Sequence, residues 1–199
     1  MNRQDPSTIH DVVISHLRRH FGEIHEFSLQ EIVGCLRIHI VPSAASRECI
    51  LLATSGASVY GESAKYELLV VLPKDWDLRD IDDRHSFWPV DCLRAVADCG
   101  ARIEPEDTFS YGEADEEKED IAGFSGFIVL PELNDYGKLV LDNGDVIQFL
   151  LLIPLYREEI DLARSRGVYA LLSLFRENNI DIVLNANRIN VGLLDKRGQ

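Results

Sequence analysis

The sequence predicts an α+β protein: a single domain whose mixed, mainly antiparallel sheet carries packed helices. Three observations point there. The 199 residues suit one domain with a sizeable buried core. Their apolar patterning runs helix, several strands, helix, strands, helix, strand, without the strict βαβ alternation of a parallel fold. Between Lys138 and Ile153 an Asn-Gly pair separates two apolar runs, the signature of a hairpin with a two-residue loop. The composition, 46% hydrophobic and 27% charged, is that of a globular rather than a disordered chain.

Each element has a local reason. Ile9, Val13, Leu17 and Phe21 recur at four-residue steps on one helix face, with Asp5 and Pro6 suited to its start and Gly22 to its stop. Strand-length runs follow at 24–33, 36–42 and 48–54. In the second, Leu36, Ile38 and Ile40 face one way and Arg37 and His39 the other, so a half-solvated strand is expected. Thr54-Ser55-Gly56-Ala57-Ser58 reads as a turn of small residues. Tyr66 to Leu72 is apolar on both faces except for Glu67, a central strand ended by Pro73. Residues 74–86 read as loop. A helix is expected from Ser86 to Cys99, with Pro89 in its first turn and Gly100 at its end. Residues 104–120 read as loop, since their charges would repel in a compact element. Phe124 to Leu130 is a strand, and the hairpin's second strand continues to Ile153 as a covered, central one. Arg157 to Asn178 is helical and kinked or split at Gly167. Ile180 to Leu184 is a last short strand, and the tail from Leu194 is expected to fray.

Twenty Lys and Arg against 34 Asp and Glu give a net charge of −14. That excess argues against nucleic acid, whose phosphates need basic clusters, and against an anionic membrane surface. It favours a basic protein partner. Nine acids against one lysine fall within 104–120, so −8 of the −14 sits in one segment. Glu113, Asp115, Glu116, Glu117, Glu119 and Asp120 are therefore the candidate partner-binding residues. The longest apolar run, Phe149 to Leu155, is a strand's length rather than a membrane span, and the N-terminus has no signal-peptide core. A cytoplasmic chain is expected.

Catalytic and metal motifs are not found. Cys35, Cys49, Cys92 and Cys99 form no CxxC. On one helix, Cys92 and Cys99 would lie about 10 Å apart along the axis, beyond disulfide reach. They read as free thiols. His16 and His20 have a spacing that can hold a metal, but no HExxH surrounds them, and boundary positions fit better. The serines around Gly56 lack a GxSxG elbow, and no phosphate-cradling glycine loop occurs. A hydrolase built on Ser55, with His39 or His85 and an acid, would need those side chains to converge in a cleft. Glu158 and Glu159 suit a helix start. The acid run lacks the DxDxDG calcium pattern. Trp76 and Trp88 read as packed anchors. No catalytic residue, metal or cofactor is predicted.

Several segments, in order, resemble the suppressor-of-fused (SUFU) domain. Leu51-Leu52-Ala53-Thr54-Ser55-Gly56-Ala57-Ser58 is similar to its LxTxGxS segment. Tyr66-Glu67-Leu68-Leu69-Val70-Val71-Leu72-Pro73 with Asp75-Trp76 resembles its EL…LP..W strand, and Phe87-Trp88-Pro89-Val90 with Leu93 and Ala97 its WP…L..LA helix. Gly144-Asp145-Val146-Ile147-Gln148-Phe149-Leu150 resembles its G..v.FL segment. Pro154 to Glu159 with Gly167 and Leu171-Leu172 resembles its eE…G…LL segment, and Asn187-Arg188 its closing R. The similarity spans about 7–191, and the acid run at 104–120 has no counterpart in it. Having nothing like the extra carboxy-terminal domain of animal members, the sequence looks like the bacterial, single-domain form. Bacterial members are thought to serve chiefly as immunity proteins in toxin systems, whereas the animal proteins restrain a transcription factor. The resemblance implies a non-enzymatic protein-binding module: an immunity protein for a cognate toxin domain or, alternatively, an adaptor that sequesters an endogenous partner.

Overall fold

A computed structural model describes residues 6–27, 36–60, 65–79, 83–98, 103–110 and 123–195. In chain order the elements are α1 (Pro6–Phe21), β1 (His25–Phe27), β2 (Arg37–Val41), β3 (Cys49–Ser55), α2 (Ala57–Tyr60), β4 (Tyr66–Pro73) and α3 (Arg84–Asp98). They continue with β5 (Thr108–Ser110), β6 (Gly126–Pro131), a 3-10 turn (Asp135–Gly137), β7 (Lys138–Val140), β8 (Val146–Leu155), α4 (Arg157–Arg166), α5 (Val168–Glu177) and α6 (Val191–Asp195). Two compact units contain them. One is Met1–Ile103 with Pro131–Leu151; the other is Glu104–Leu130 with Leu152–Gln199. The architecture is α+β with a mixed, mainly antiparallel sheet, as the sequence predicts.

In the first unit β1, β2, β3 and β4 pair antiparallel in turn, and β4 runs parallel to β8 with Tyr66 opposite Gln148 and Leu69 opposite Leu151. β7 closes antiparallel on the start of β8. Strand β4 is buried on both faces from Tyr66 to Leu72, which explains why its run is apolar apart from Glu67. The stripe Ile9, Val13 and Leu17 of α1 is buried, as are Val90, Leu93, Val96 and Ala97 of α3. Trp88 is buried on α3; Trp76 meets it edge-on with ring centroids 6.4 Å apart and donates from Nε1 to the Ser86 carbonyl at 2.7 Å.

In the second unit β5 pairs antiparallel with β6, and the Ser125 amide donates to the Leu155 carbonyl at 2.8 Å. Ile128, Ile153, Leu155, Ile160, Leu162, Leu171, Phe175 and Val191 form its core. The predicted long helix is two, α4 and α5, divided at Gly167, whose φ of 88° is left-handed backbone that favours glycine.

Several expectations are corrected. His39 is not solvated: it is buried at 1% exposure, whereas Arg37, on the same face of β2, is exposed as expected. The hairpin loop holds three residues, Asp142-Asn143-Gly144. Leu141 accepts from the Gly144 amide, Gly144 takes a φ of 85°, and the Leu141 amide donates to Asp145. Helix α3 begins two residues before Ser86, because Asp83 accepts from the Ser86 hydroxyl and from the Ser86 and Phe87 amides; Pro89 thus falls in the second turn. Within the expected 104–120 loop, Thr108–Ser110 is a strand. Residues 180–184 form no strand: Asn179 adopts a φ of 53°, and the Asp181 carboxylate captures the Ile182 amide at 2.6 Å, diverting a donor a ladder would need. Cys49 is half-buried and Cys92 buried, with no disulfide among the described residues; Cys35 and Cys99 lie outside them.

At Gly126 the backbone of β6 packs directly against β5. A Cβ there would meet the Phe109 carbonyl oxygen at 1.9 Å and Ser110 Cα at 2.8 Å. Gly126→Ala should therefore force the strands apart and destabilise the protein by about 2–3 kcal/mol, read as a lowered urea midpoint. Gly144→Ala is the contrast: its Cβ meets nothing within 4 Å, so only the backbone conformation is strained, at about 1 kcal/mol.

Candidate functional site

The turn after β3 is built around a buried carboxylate. Gly56, at a φ of 100°, swings the chain so that the amides of residues 56, 57 and 58 converge on Glu67 of β4. Oε1 accepts from the Gly56 amide at 3.0 Å, the Ser58 amide at 3.2 Å and the Ser58 hydroxyl at 2.7 Å. Oε2 accepts from the Thr54 hydroxyl at 2.7 Å and the Ala57 amide at 3.2 Å. Thr54 Oγ1 in turn accepts from the Leu68 amide at 2.8 Å, tying β3 to β4 a second time. Converging amides of this kind form an anion-binding nest, and here the anion is the chain's own side chain. Burial pushes the Glu67 carboxyl up; the hydroxyls of Thr54 and Ser58 and the amides of Ser58 and Gly56 pull it back.

Ser55, within the same turn, looks the other way. Its Oγ lies 2.7 Å from His10 Nδ1 of α1 and 2.7 Å from His39 Nε2 of β2. One hydroxyl carries one proton, so at most one ring accepts from it and the other donates to it. All three side chains are buried. Burial first, then the charges of His10, Arg37 and Arg18, push the His39 pKa down to about 4, so the ring is neutral at pH 7. A serine hydroxyl on an imidazole is the geometry of an activated nucleophile. Here Ser55 lies under α1 with its hydroxyl between two rings, and the carboxylate beside it spends both oxygens on five other donors. The convergence of Ser55 and His39 is real, but the cluster joins α1, β2 and β3. The side chain of His85 lies outside those described.

The second unit has its own polar joint. Arg188 pairs bidentately with Glu159 of α4, Nη1 to Oε1 and Nη2 to Oε2, each at 2.6 Å. Both side chains are buried. Nη2 also reaches the Pro154 carbonyl at 2.8 Å, and Glu159 accepts from the Tyr156 amide at 3.0 Å and the Val191 amide at 3.1 Å. The guanidinium lies 4.7 Å from the Tyr156 ring, 5.0 Å from Phe175 and 5.3 Å from Phe124. Tyr156 returns a bond from its hydroxyl to the Arg188 carbonyl at 2.9 Å. The clasp fastens residues 185–191 to α4. The expectation for Glu159 as a helix-start residue is met by its position at the third helical residue, and the ion pair adds to it.

The predicted partner-binding acids, Glu113, Asp115, Glu116, Glu117, Glu119 and Asp120, lie outside the described residues, in the connection between β5 and β6. The start of the acid run is a folded turn: the Glu104 amide donates to Asp107, and Tyr169 donates to Glu106 at 2.9 Å. His16 is buried and donates from Nε2 to the Tyr136 carbonyl at 2.9 Å, while His20 is exposed. Among the described residues no group of three His, Cys, Asp or Glu could hold a metal ion, and no helix is long and apolar enough to cross a membrane.

A scan against family models matches residues 34–189 to the suppressor of fused protein family. The chain belongs to that family. No curated protein matches it by sequence. Its fold is similar to that of a suppressor of fused homologue from Neisseria gonorrhoeae FA 1090, with a TM-score of 0.65 at 18% identity over 92% of this chain and 97% of that one. A chain in the crystal structure of the Sufu–Fu complex gives 0.64 at 13% identity, over 95% of this chain and 94% of that one. Drosophila Suppressor of Fused gives 0.61 at 15% identity over 96% of this chain, which spans 54% of that longer one. The residues that carried the sequence resemblance now have physical roles. Thr54, Gly56, Ser58 and Glu67 build the carboxylate nest, and Glu159 and Arg188 build the clasp. Sequence reasoning missed His10 and His39 as partners; Glu67 was visible as the lone charge in a doubly buried strand.

Two substitutions test these roles. Glu67→Gln keeps the shape but turns an amide group on donors, leaving at least two of them unpaired, and should cost about 2–4 kcal/mol in denaturant unfolding. Arg188→Ala leaves Glu159 buried and unpaired and should cost about 3–5 kcal/mol. Arg188→Lys should recover little of it, since lysine can neither bridge both oxygens nor stack.

Proposed function

We propose that this chain is a non-enzymatic protein-binding module, an immunity protein that binds and neutralises a cognate bacterial toxin domain. The observation that carries the reading is the burial of the polar residues around the turn after β3. Glu67, Ser55 and His39 are sealed in the fold and spend their hydrogen bonds on it, which leaves recognition to the surface. That surface offers exposed apolar side chains, Leu133, Tyr169 and the cross-strand pair Val140 and Val146 among them, of the kind that anchor interfaces. The net charge of −14 favours a basic partner such as a nuclease domain. The acids from Glu113 to Asp120 are the proposed steering residues, and the chain is expected to work in the cytoplasm.

The alternative is an adaptor that sequesters an endogenous protein. It is supported by the structural neighbour found in a complex of Sufu with Fu. Gene context separates the two, because an immunity gene sits beside its toxin. Co-expression with a toxin encoded next door should restore growth. Continued killing contradicts the immunity reading, and recovery of a housekeeping protein in pull-downs supports the adaptor. Neutralising Glu113, Asp115, Glu116, Glu117, Glu119 and Asp120 to their amides should slow association with the partner about tenfold or more at low salt and little at high salt. An unchanged low-salt rate removes the electrostatic role of this segment.

A further inference from the structure

The loop between β7 and β8 carries the chain's one Asn-Gly pair, Asn143-Gly144. Both residues are exposed, and the space a side chain would fill at Gly144 is open, so its backbone nitrogen stands unscreened. Such a pair can react with itself. The Gly144 nitrogen, its proton lost to water, bonds to Asn143 Cγ. The Cγ–Nδ2 bond breaks, and Nδ2 takes up a proton and leaves as ammonia. Water then opens the cyclic imide at either carbonyl and leaves aspartate or isoaspartate at position 143. One water enters, one ammonia departs, and nothing is oxidised or reduced.

The folded loop holds these atoms back. The Gly144 amide gives to the Leu141 carbonyl, at 2.9 Å, the proton it would have to lose. The Asn143 side chain is tied to Asp145 by both of its ends. Oδ1 accepts from the Asp145 amide at 3.0 Å, and Nδ2 donates to Asp145 Oδ2 at 2.8 Å. Asp145 Oδ2 is paired in turn with the Lys65 ammonium. Lys65 stands just before β4, where its carbonyl accepts from the Gln148 amide of β8 at 3.0 Å. An ion pair from the start of β4 thus steadies the reactive pair. Intramolecular attack needs the reacting atoms aligned, and these contacts must break before they can be.

We propose that Asn143 is a self-modification site latched by Asp145 and Lys65: imide formation waits for the loop to open, and the product keeps it open. Aspartate at 143 puts a carboxylate where the amide now donates to Asp145, so two like charges meet at hydrogen-bond distance. Isoaspartate also adds a methylene to the backbone of a three-residue loop closed by the bonds of Leu141 to Gly144 and Asp145. Neither product can rebuild the latch. The change falls beside the exposed pair Val140 and Val146, so it alters that surface in one direction only.

Peptide mapping by mass spectrometry tests this on the whole chain incubated at mildly alkaline pH, beside a synthetic peptide of residues 138–149. Conversion at 143 should be about tenfold or more slower in the folded chain than in the peptide, because it requires a local opening. Asp145→Ala removes the acceptor of Asn143 and the partner of Lys65. It should speed conversion in the folded chain about threefold or more, measured against a peptide with the same change. Lys65→Ala should act in the same direction without altering the loop. Equal rates in chain and peptide overturn the proposal, because the loop then holds nothing back. So does a rate unmoved by both substitutions, or a chain in which other asparagines convert and Asn143 does not. The converted chain, separated by its added charge, should exchange the amides of residues 139–147 faster than the unconverted one. Equal exchange in the two overturns the one-way step.

Discussion

The first unit depends on a buried carboxyl group held by five hydrogen-bond donors. Glu67 sits in the middle of its sheet, fully buried, and its two oxygens accept from three backbone amides and two hydroxyls, while burial holds its pKa above the ordinary value. A buried charge is tolerated only where donors replace its water. Every one of these donors comes from the five residues 54–58, so the sequence of the turn and the identity of residue 67 specify each other. An apolar residue at 67 would leave three amides and two hydroxyls without acceptors. A shorter acid would not reach them. The pairing of β3 with β4, and through β4 with β8, is thereby fixed in register by a polar device inside an otherwise apolar strand.

That constraint shapes the functional reading. Small polar residues around a glycine, next to a histidine and an acid, are the raw material of a hydrolase. Here each is committed elsewhere. Thr54 and Ser58 serve Glu67, Ser55 joins two histidines, and Glu159 and Arg188 serve each other within the second unit. In this chain the polar residues of the family segments act as joints between elements, so they serve the scaffold rather than the exposed surface. A protein that recognises partners benefits from that division, because the interface and the scaffold then draw on different residues.

Much of the fold was legible in the sequence because it rests on period and punctuation. The stripe of Ile9, Val13 and Leu17, the run from Tyr66 to Leu72, and Gly167 as a break all correspond to observed elements. What was missed depends on long-range pairing. His39 alternates with apolar neighbours as a solvated residue would, and only the arrival of His10, 29 positions earlier in the chain, makes its face interior. The three-residue hairpin loop escaped because an Asn-Gly pair fits either a two-residue turn or the end of a three-residue one. The 180–184 run looked like a strand by composition, but the Asp181 side chain claims an amide that a ladder would have used. Of the candidate site, Ser55 and His39 were named but not His10, the second histidine on the Ser55 hydroxyl. The acids from Glu113 to Asp120 stand out by charge alone, and charge does not specify a conformation.

The central claim is that Ser55 and its histidines are structural. Incubating the folded protein with a fluorophosphonate at pH 7 and mapping the products by mass spectrometry tests it most directly. A structural Ser55, buried beneath α1, should remain unmodified while the probe labels a serine hydrolase in the same tube. A stoichiometric adduct on Ser55 would contradict the account and restore the serine–histidine pair as a nucleophile.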